Sequence, residues 1–207
     1  MKNKLVELVN IWAEYEEQNP DLSIEDFCVR YLAEKTSPSV NEDVYKQIPT
    51  NGLLAALIGK LNKYASLYCK KAIENFGLRN IDDWIYLISL QQMGTPKKSE
   101  LILEMLSEFP SGIDIIKRLL ALELALEFPD EQDKRSKRLR ITEKGMQVLL
   151  ESLPYMEKVG SMAFDTLKES EKNMVLNILK RLDAFHNEHY KTIRNANFED
   201  TYQILVN

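Results

Sequence analysis

Apolar residues recur at helical spacing through most of the chain and at strand spacing in one short stretch. Leu5, Leu8, Val9 and Trp12 mark a first helical face, which Pro20 interrupts. Ser23 followed by Asp26 has the form of a capping box, and Ile24, Phe27, Cys28 and Tyr31 build a second face behind it. The polar segment 36–49, with two prolines, reads as a linker. From Thr50 to about Phe76 a long helix is predicted on the stripe Leu54, Leu57, Ile58, Leu61, Ala65, Tyr68 and Ala72, with Gly77 as its terminator.

Asn80 is placed to cap the next helix, whose first turn carries Asp82 and Asp83 where the helix dipole favours acids. Trp84, Ile85, Leu87 and Ile88 are its apolar side, and Trp84 reads as core rather than as a ligand platform. This helix should stop near Met93-Gly94-Thr95-Pro96. A helix over 97–107 follows, with Leu101, Ile102, Met105 and Leu106 on one side, until Phe109-Pro110 interrupts it. Ser111 is read as the cap of another helix, which turns Ile113, Ile116, Leu119 and Leu120 inward. Two short helices meeting across a tight turn form a helix-turn-helix.

The period then changes to two. Leu124, Leu126 and Phe128 alternate with Ala125 and Glu127, and beyond a charged loop Leu139 and Ile141 alternate with Arg138, Arg140 and Thr142. The pattern predicts a β-hairpin. Thr142-Glu143 opens a helix through Gly145, Met146, Leu149, Leu150 and Leu153 to about Leu167, and Pro154 is expected to kink or divide it. Ser170 is read as the cap of a last long helix, striped by Met174, Val175, Ile178, Leu179, Leu182 and Phe185; the tail 195–207 shows no clear pattern.

Composition agrees with a mainly helical domain. The apolar fraction is 44%, enough for a sizeable core, while seven glycines and seven prolines are too few for a turn-rich all-β fold. No apolar run is long enough for a transmembrane span, and the first residues lack the features of a secretory signal, so a cytoplasmic protein with no membrane partner is expected. Cys28 and Cys69 lack metal-ligand or catalytic spacing and read as packed thiols. His186 and His189 share a helical face near Asp183 and Glu188, but no further ligand set accompanies them, and they read as surface histidines. No phosphate loop, nucleophile elbow or zinc-protease helix occurs, so neither an enzyme nor a metal or other cofactor is expected.

Charge changes the picture most. The net charge is −5, yet residues 134–144 hold six Lys or Arg against one Glu, a local +5 that leaves −10 for the remainder. A charge run by itself is usually a solvated loop. Directly after a helix-turn-helix it suits a different role, because a helix fits the major groove and an adjacent cationic hairpin can reach the minor groove or its phosphates. The candidates are Ser111, Lys117 and Arg118 on the helix, and Lys134, Arg135, Lys137, Arg138 and Arg140 on the hairpin.

The stretch DEQDKRSKRLRITEKG, residues 130–145, resembles the wing signature of the MarR (multiple antibiotic resistance regulator) family, through Asp133, Arg135, Ser136, Thr142 and Gly145. The resemblance extends in organisation over about 50–195 and is specific over 130–145. It implies a winged helix-turn-helix transcriptional regulator, with double-stranded DNA as partner. It also implies an obligate homodimer built from the terminal helices, and a small-molecule effector of aromatic or phenolic type. The implied role of Asp133 is to shape the wing, and that of Arg135 to reach DNA. The implied organisation is an N-terminal helical extension and linker (1–49), a dimerisation and support helix (50–77), the winged helix-turn-helix domain (78–145) and C-terminal dimerisation helices (146–207). The apolar stripes of 50–76, 142–167 and 170–194 agree with pairing between chains, the alternative being an intrachain bundle that includes 1–35. One departure is clear: the family's Gly-containing basic junction before the wing is replaced here by LALELALEF, residues 120–128, with Glu123 and Glu127. Together with Asp114, these acids motivate a second reading, a winged-helix protein-interaction module that has lost DNA binding.

Overall fold

The structure is a computed structural model, and it describes residues 3–36 and 47–206. Most of the predicted linker, 37–46, lies outside the described residues. The chain divides into two compact units, Met1–Ala56 and Leu57–Asn207.

The first unit contains a helical hairpin, α1 (Lys4–Gln18) and α2 (Ile24–Thr36). Ser23 caps α2 as expected, its hydroxyl accepting the Asp26 N–H at 3.0 Å. Phe27 is the centre of the hairpin: Trp12 and Tyr15 meet its ring edge-on, with centroids 5.0 and 5.3 Å away, and Tyr31 stacks at 5.9 Å. The Tyr15 hydroxyl donates to the Glu34 carboxylate, and this bond pushes the phenol up to about 12.

The long helix α3 (Thr50–Ile73) ends in a 3-10 turn, Glu74–Phe76, and Gly77 then takes φ +72°, a left-handed geometry that costs a glycine little. The helices α4 (Ile81–Met93), α5 (Lys98–Glu104) and α6 (Phe109–Ala121) follow, then strands β1 (Ala125–Pro129) and β2 (Lys137–Ile141), and α7 (Glu143–Phe164), α8 (Glu169–Ile193) and α9 (Phe198–Val206). One core joins Ile73, Leu87, Leu90, Leu101, Ile102, Ile116, Leu119, Leu124, Leu139 and Leu149, so the three helices, the hairpin and the start of α7 bury one another. At about 1.5–3 kcal/mol for each fully buried large apolar side chain, this cluster is the main source of stability. Trp84 belongs to its margin, and its indole N–H donates to the buried Ser152 hydroxyl at 2.8 Å, tying α4 to α7.

Several local expectations need correction. The 97–107 helix stops at Glu104; Leu106 takes φ +50° and is exposed, and the Ser107 N–H closes back on the Ile102 carbonyl at 3.1 Å. Phe109-Pro110 begins α6 rather than interrupting α5, because proline suits a first helical turn whose N–H groups have no helical partner; Ser111 is therefore inside the helix and Glu108 is the cap residue. Pro154 does not divide α7, which runs on to Phe164. Lys168, not Ser170, precedes α8, with its N–H held by Glu171 at 2.7 Å. The tail forms α9, where Asn197 accepts the Asp200 N–H at 2.9 Å.

The hairpin register pairs Ala125 with Ile141, Glu127 with Leu139, and Phe128 with Arg138. Directly opposed residues share a face, so Ala125 and Glu127 lie with the inward Leu139, while Leu126 and Phe128 share the outer face with Arg138 and Arg140. The period-two reading of β1 was right about the strand, and the register places its less apolar pair, Ala125 and Glu127, on the inner face. Glu127 is tolerated inward because Lys98 and Lys137 pair with it, which also holds its carboxyl below the usual range, Lys98 foremost.

Candidate nucleic-acid interface

The hairpin is braced by the segment before α5 and by the start of α7. The Leu139 N–H donates to the Pro96 carbonyl at 2.9 Å, and Lys97 forms a bridge with Arg138, so the segment before α5 acts as a third partial strand. At the far end, the Thr142 hydroxyl donates to the Glu123 carbonyl at 2.7 Å and accepts the Gly145 N–H at 3.0 Å. Gly145 is needed for closeness: a Cβ there would lie 2.1 Å from the Leu124 carbonyl oxygen, a backbone atom. The Thr142–Gly145 step of the wing signature therefore has a packing reason, the crossing of α7 over the start of β1.

The connecting loop is organised by two carboxylates. Asp130 is buried and accepts the N–H groups of Gln132 at 3.0 Å and Asp133 at 2.7 Å, while its second oxygen binds the Arg138 guanidinium. Asp133 in turn accepts the Arg135 N–H at 3.1 Å and the Ser136 hydroxyl at 2.6 Å. The Asp130 N–H closes the loop on the Ser136 carbonyl at 3.1 Å. These nested Asx turns hold both carboxyls below the usual carboxylate range, Asp130 chiefly through the Asp133 N–H and Asp133 chiefly through the Ser136 hydroxyl.

The predicted contact residues fall into two groups. Lys134 and Arg135 sit on the exposed loop, and among the described residues neither has an ion-pair partner. Lys137 and Arg140 are also exposed; Arg140 lies over the Phe128 ring, 5.9 Å from its centroid, and Lys137 is 4.0 Å from Glu127. Ser111 and Lys117 are exposed on α6 with Asp114 between them, 3.7 Å from Lys117. Arg118 and Arg138 are engaged by the protein itself and are read as scaffold rather than contact. Arg118 donates through Nε at 3.1 Å and a terminal nitrogen at 2.6 Å to the fully buried Asp83, whose other oxygen accepts the Arg79 N–H at 2.8 Å. Arg138 binds Asp130 and donates to the Thr95 carbonyl at 2.6 Å. Sequence reading passed over Asp130 and gave Asp83 only a place in the first turn of its helix. The available signal for Asp130 was the Asp-x-x-Asp-x-x-Ser spacing after a proline; the pairing of Asp83 with Arg118 is long-range and has none.

No group of His, Cys, Asp and Glu that could hold a metal is found among the described residues, and no helix searched is long and apolar enough to cross a membrane.

A helix-turn-helix followed by a braced two-stranded wing, between long flanking helices, defines the class: the fold is the MarR-type winged helix. A MarR transcriptional regulator from Methanosarcina mazei is 20% identical with a TM-score of 0.61, over 66% of this chain and 97% of that one. A mutant of Escherichia coli MarR, complexed with operator DNA, is 14% identical with a TM-score of 0.59, over 70% of this chain and 99% of that one. Bordetella bronchiseptica BpsR, studied for regulation of its DNA binding by 6-hydroxynicotinic acid, is 18% identical with a TM-score of 0.59, over 63% of this chain and 98% of that one. No family model matches the sequence, and no curated protein matches it.

Proposed function

We propose that this protein is a cytoplasmic, homodimeric DNA-binding transcriptional regulator of MarR type. The observation that carries the reading is the division of labour in the wing: Asp130, Asp133 and Arg138 are consumed in holding the loop, and Lys134 and Arg135 are left without an ion-pair partner at its exposed end. Free cations on a rigid ribbon suit a phosphate backbone or a narrow minor groove. Ser111 and Lys117 on α6 supply the groove-facing candidates.

The dimer rests on α8. This 25-residue helix buries none of its residues, while Met174, Val175, Leu176, Ile178, Leu179, Leu182 and Phe185 are each between 39 and 48% exposed. Such a stripe exceeds what a monomer ordinarily leaves to water, and a second copy would cover it symmetrically. The described domain arrangement, with 78–145 as the DNA-binding head and 146–207 as dimerisation helices, belongs to the same proposal. So does a small-molecule effector, for which a cleft of about 480 Å³ between Met93, Glu100, Leu103 and Tyr190 offers space.

Fluorescence anisotropy against labelled duplex DNA at two salt concentrations tests the reading. Affinity should fall steeply as salt rises, because bound phosphates release counterions. Absent binding, or binding indifferent to salt, would overturn it in favour of the protein-interaction module, whose motivating observation is exposed Asp114 in the middle of the α6 surface.

A further inference from the structure

About a third of this chain lies outside what it shares with the solved structures, which are themselves matched almost end to end. The α1–α2 hairpin is a folded element that the DNA-binding reading leaves without a task. Its aromatic cluster around Phe27 uses Trp12, Tyr15 and Tyr31, and so occupies only the middle and end of α1. Among the described residues the first two turns of α1 have no packing partner: Leu5, Val6, Leu8 and Val9 are 66, 54, 50 and 57% exposed, and no residue of α1 is buried. Four large aliphatic side chains within five positions, at the start of a capped helix, make a continuous apolar strip.

Charge decides what fits that strip. Residues 3–36 hold eight Asp or Glu and three Lys or Arg, a net −5. A second copy would bring another −5 against the first, which disfavours pairing of two hairpins through this strip. A cationic surface of matching apolarity gains from both effects. We propose that the α1–α2 hairpin is a docking module for a basic amphipathic α-helix of another protein. The apolar side of that helix would lie on Leu5, Leu8 and Val9, and its Lys or Arg residues would face the acids of the hairpin. Helix-on-helix burial would supply the affinity, and the acidic field the encounter rate and the selection against acidic partners.

The test uses the full chain and a fluorescein-labelled 18-residue peptide of Leu and Lys, with leucines at i, i+3, i+4 and i+7. Two controls accompany it: the same peptide with Gln for Leu, and with Glu for Lys. Saturable binding of the Leu/Lys peptide alone is expected. The double variant Leu5→Glu, Val9→Glu separates the causes by sign, since it removes apolar surface and adds two negative charges. The proposal requires at least a tenfold loss of affinity; unchanged or tighter binding means that charge alone attracts the peptide, and overturns it. Equal binding of the Gln/Lys peptide also overturns it. So does a drop in solution mass of the double variant by light scattering, which would make a second copy the occupant. Both positions are exposed, so the variant should keep its helical circular dichroism.

Discussion

Arg135 and Arg138 stand three residues apart on the same ribbon and end in opposite circumstances. Arg138 is bound by buried Asp130 and the Thr95 carbonyl, and its charge is used to fix the wing to the loop before α5. Arg135 gives only its backbone N–H to Asp133, and its guanidinium is left at the surface. The same contrast runs through the head, where Arg118 is taken up by Asp83 while Lys117, its neighbour, is exposed. Local positive charge is thus a poor guide to which cations stay free. What matters is whether a desolvated carboxylate has already claimed the cation.

The contrast predicts a rigid root and a replaceable tip. The largest effect is expected at the root. Gly145→Ala would force a Cβ onto the Leu124 carbonyl, where a real contact cannot exist, and should cost about 3 kcal/mol, on the order of 6–12 °C in Tm for a chain this long. Gly160 is the internal control: nothing lies within 4 Å of its Cβ position, and Gly160→Ala in the same helix should stabilise by about 0.5–1 kcal/mol. Equal responses at the two sites, read by thermal denaturation, would break the packing account of the wing signature.

Asp130→Ala should come next, lowering Tm by several degrees and weakening DNA binding together, because it leaves Arg138 unpaired and the loop N–H groups of Gln132 and Asp133 without an acceptor. At the tip, Arg135→Ala should leave Tm unchanged and weaken DNA binding by about tenfold, with a shallower salt dependence. An Arg138→Ala variant that behaved in the same way as Arg135→Ala, losing affinity at constant Tm, would erase the distinction between root and tip.

Acid should weaken the root. Asp130 and Asp133 are held below their unfolded values, so the stability they contribute is complete above about pH 4 and is lost as pH falls through their lower folded-state values. The Tm difference between the parent and Asp130→Ala should therefore narrow below pH 4; a constant difference counts against the carboxylate account. The smallest effect concerns Glu123, which holds φ +60° at the junction before β1. Glu123→Gly should relieve that backbone and raise stability by about 0.5 kcal/mol, the relief being partly offset by glycine's larger unfolded-state entropy.

The helices α1 to α8, the hairpin and the turn between α5 and α6 were legible from periodicity and from residues with strong local preferences, and α9 was not. Asn80 and Ser23 cap where their hydrogen-bonding preference puts them, and Gly77 and Gly94 end helices at positive φ. Errors arose where one residue type serves two local structures. Phe109-Pro110 breaks a helix or begins one, and which it does depends on whether the preceding turn has already closed through Ser107 onto Ile102. The alternation in β1 left its faces unassigned: Leu126 and Phe128 are more hydrophobic than Ala125 and Glu127, yet the register against Leu139 and Ile141 turns the latter pair inward.

The order of amino acids alone determined the succession of helices as far as α8, the hairpin, the cationic segment and the family it resembles, because each depends on neighbours a few residues away. Only the tertiary structure decided which cations are free, which strand face is buried and why Gly145 must be glycine. Those outcomes are set by Asp83 meeting Arg118 across 35 positions and Leu124 meeting Gly145 across the wing, contacts whose energy exists only once the chain has closed on itself.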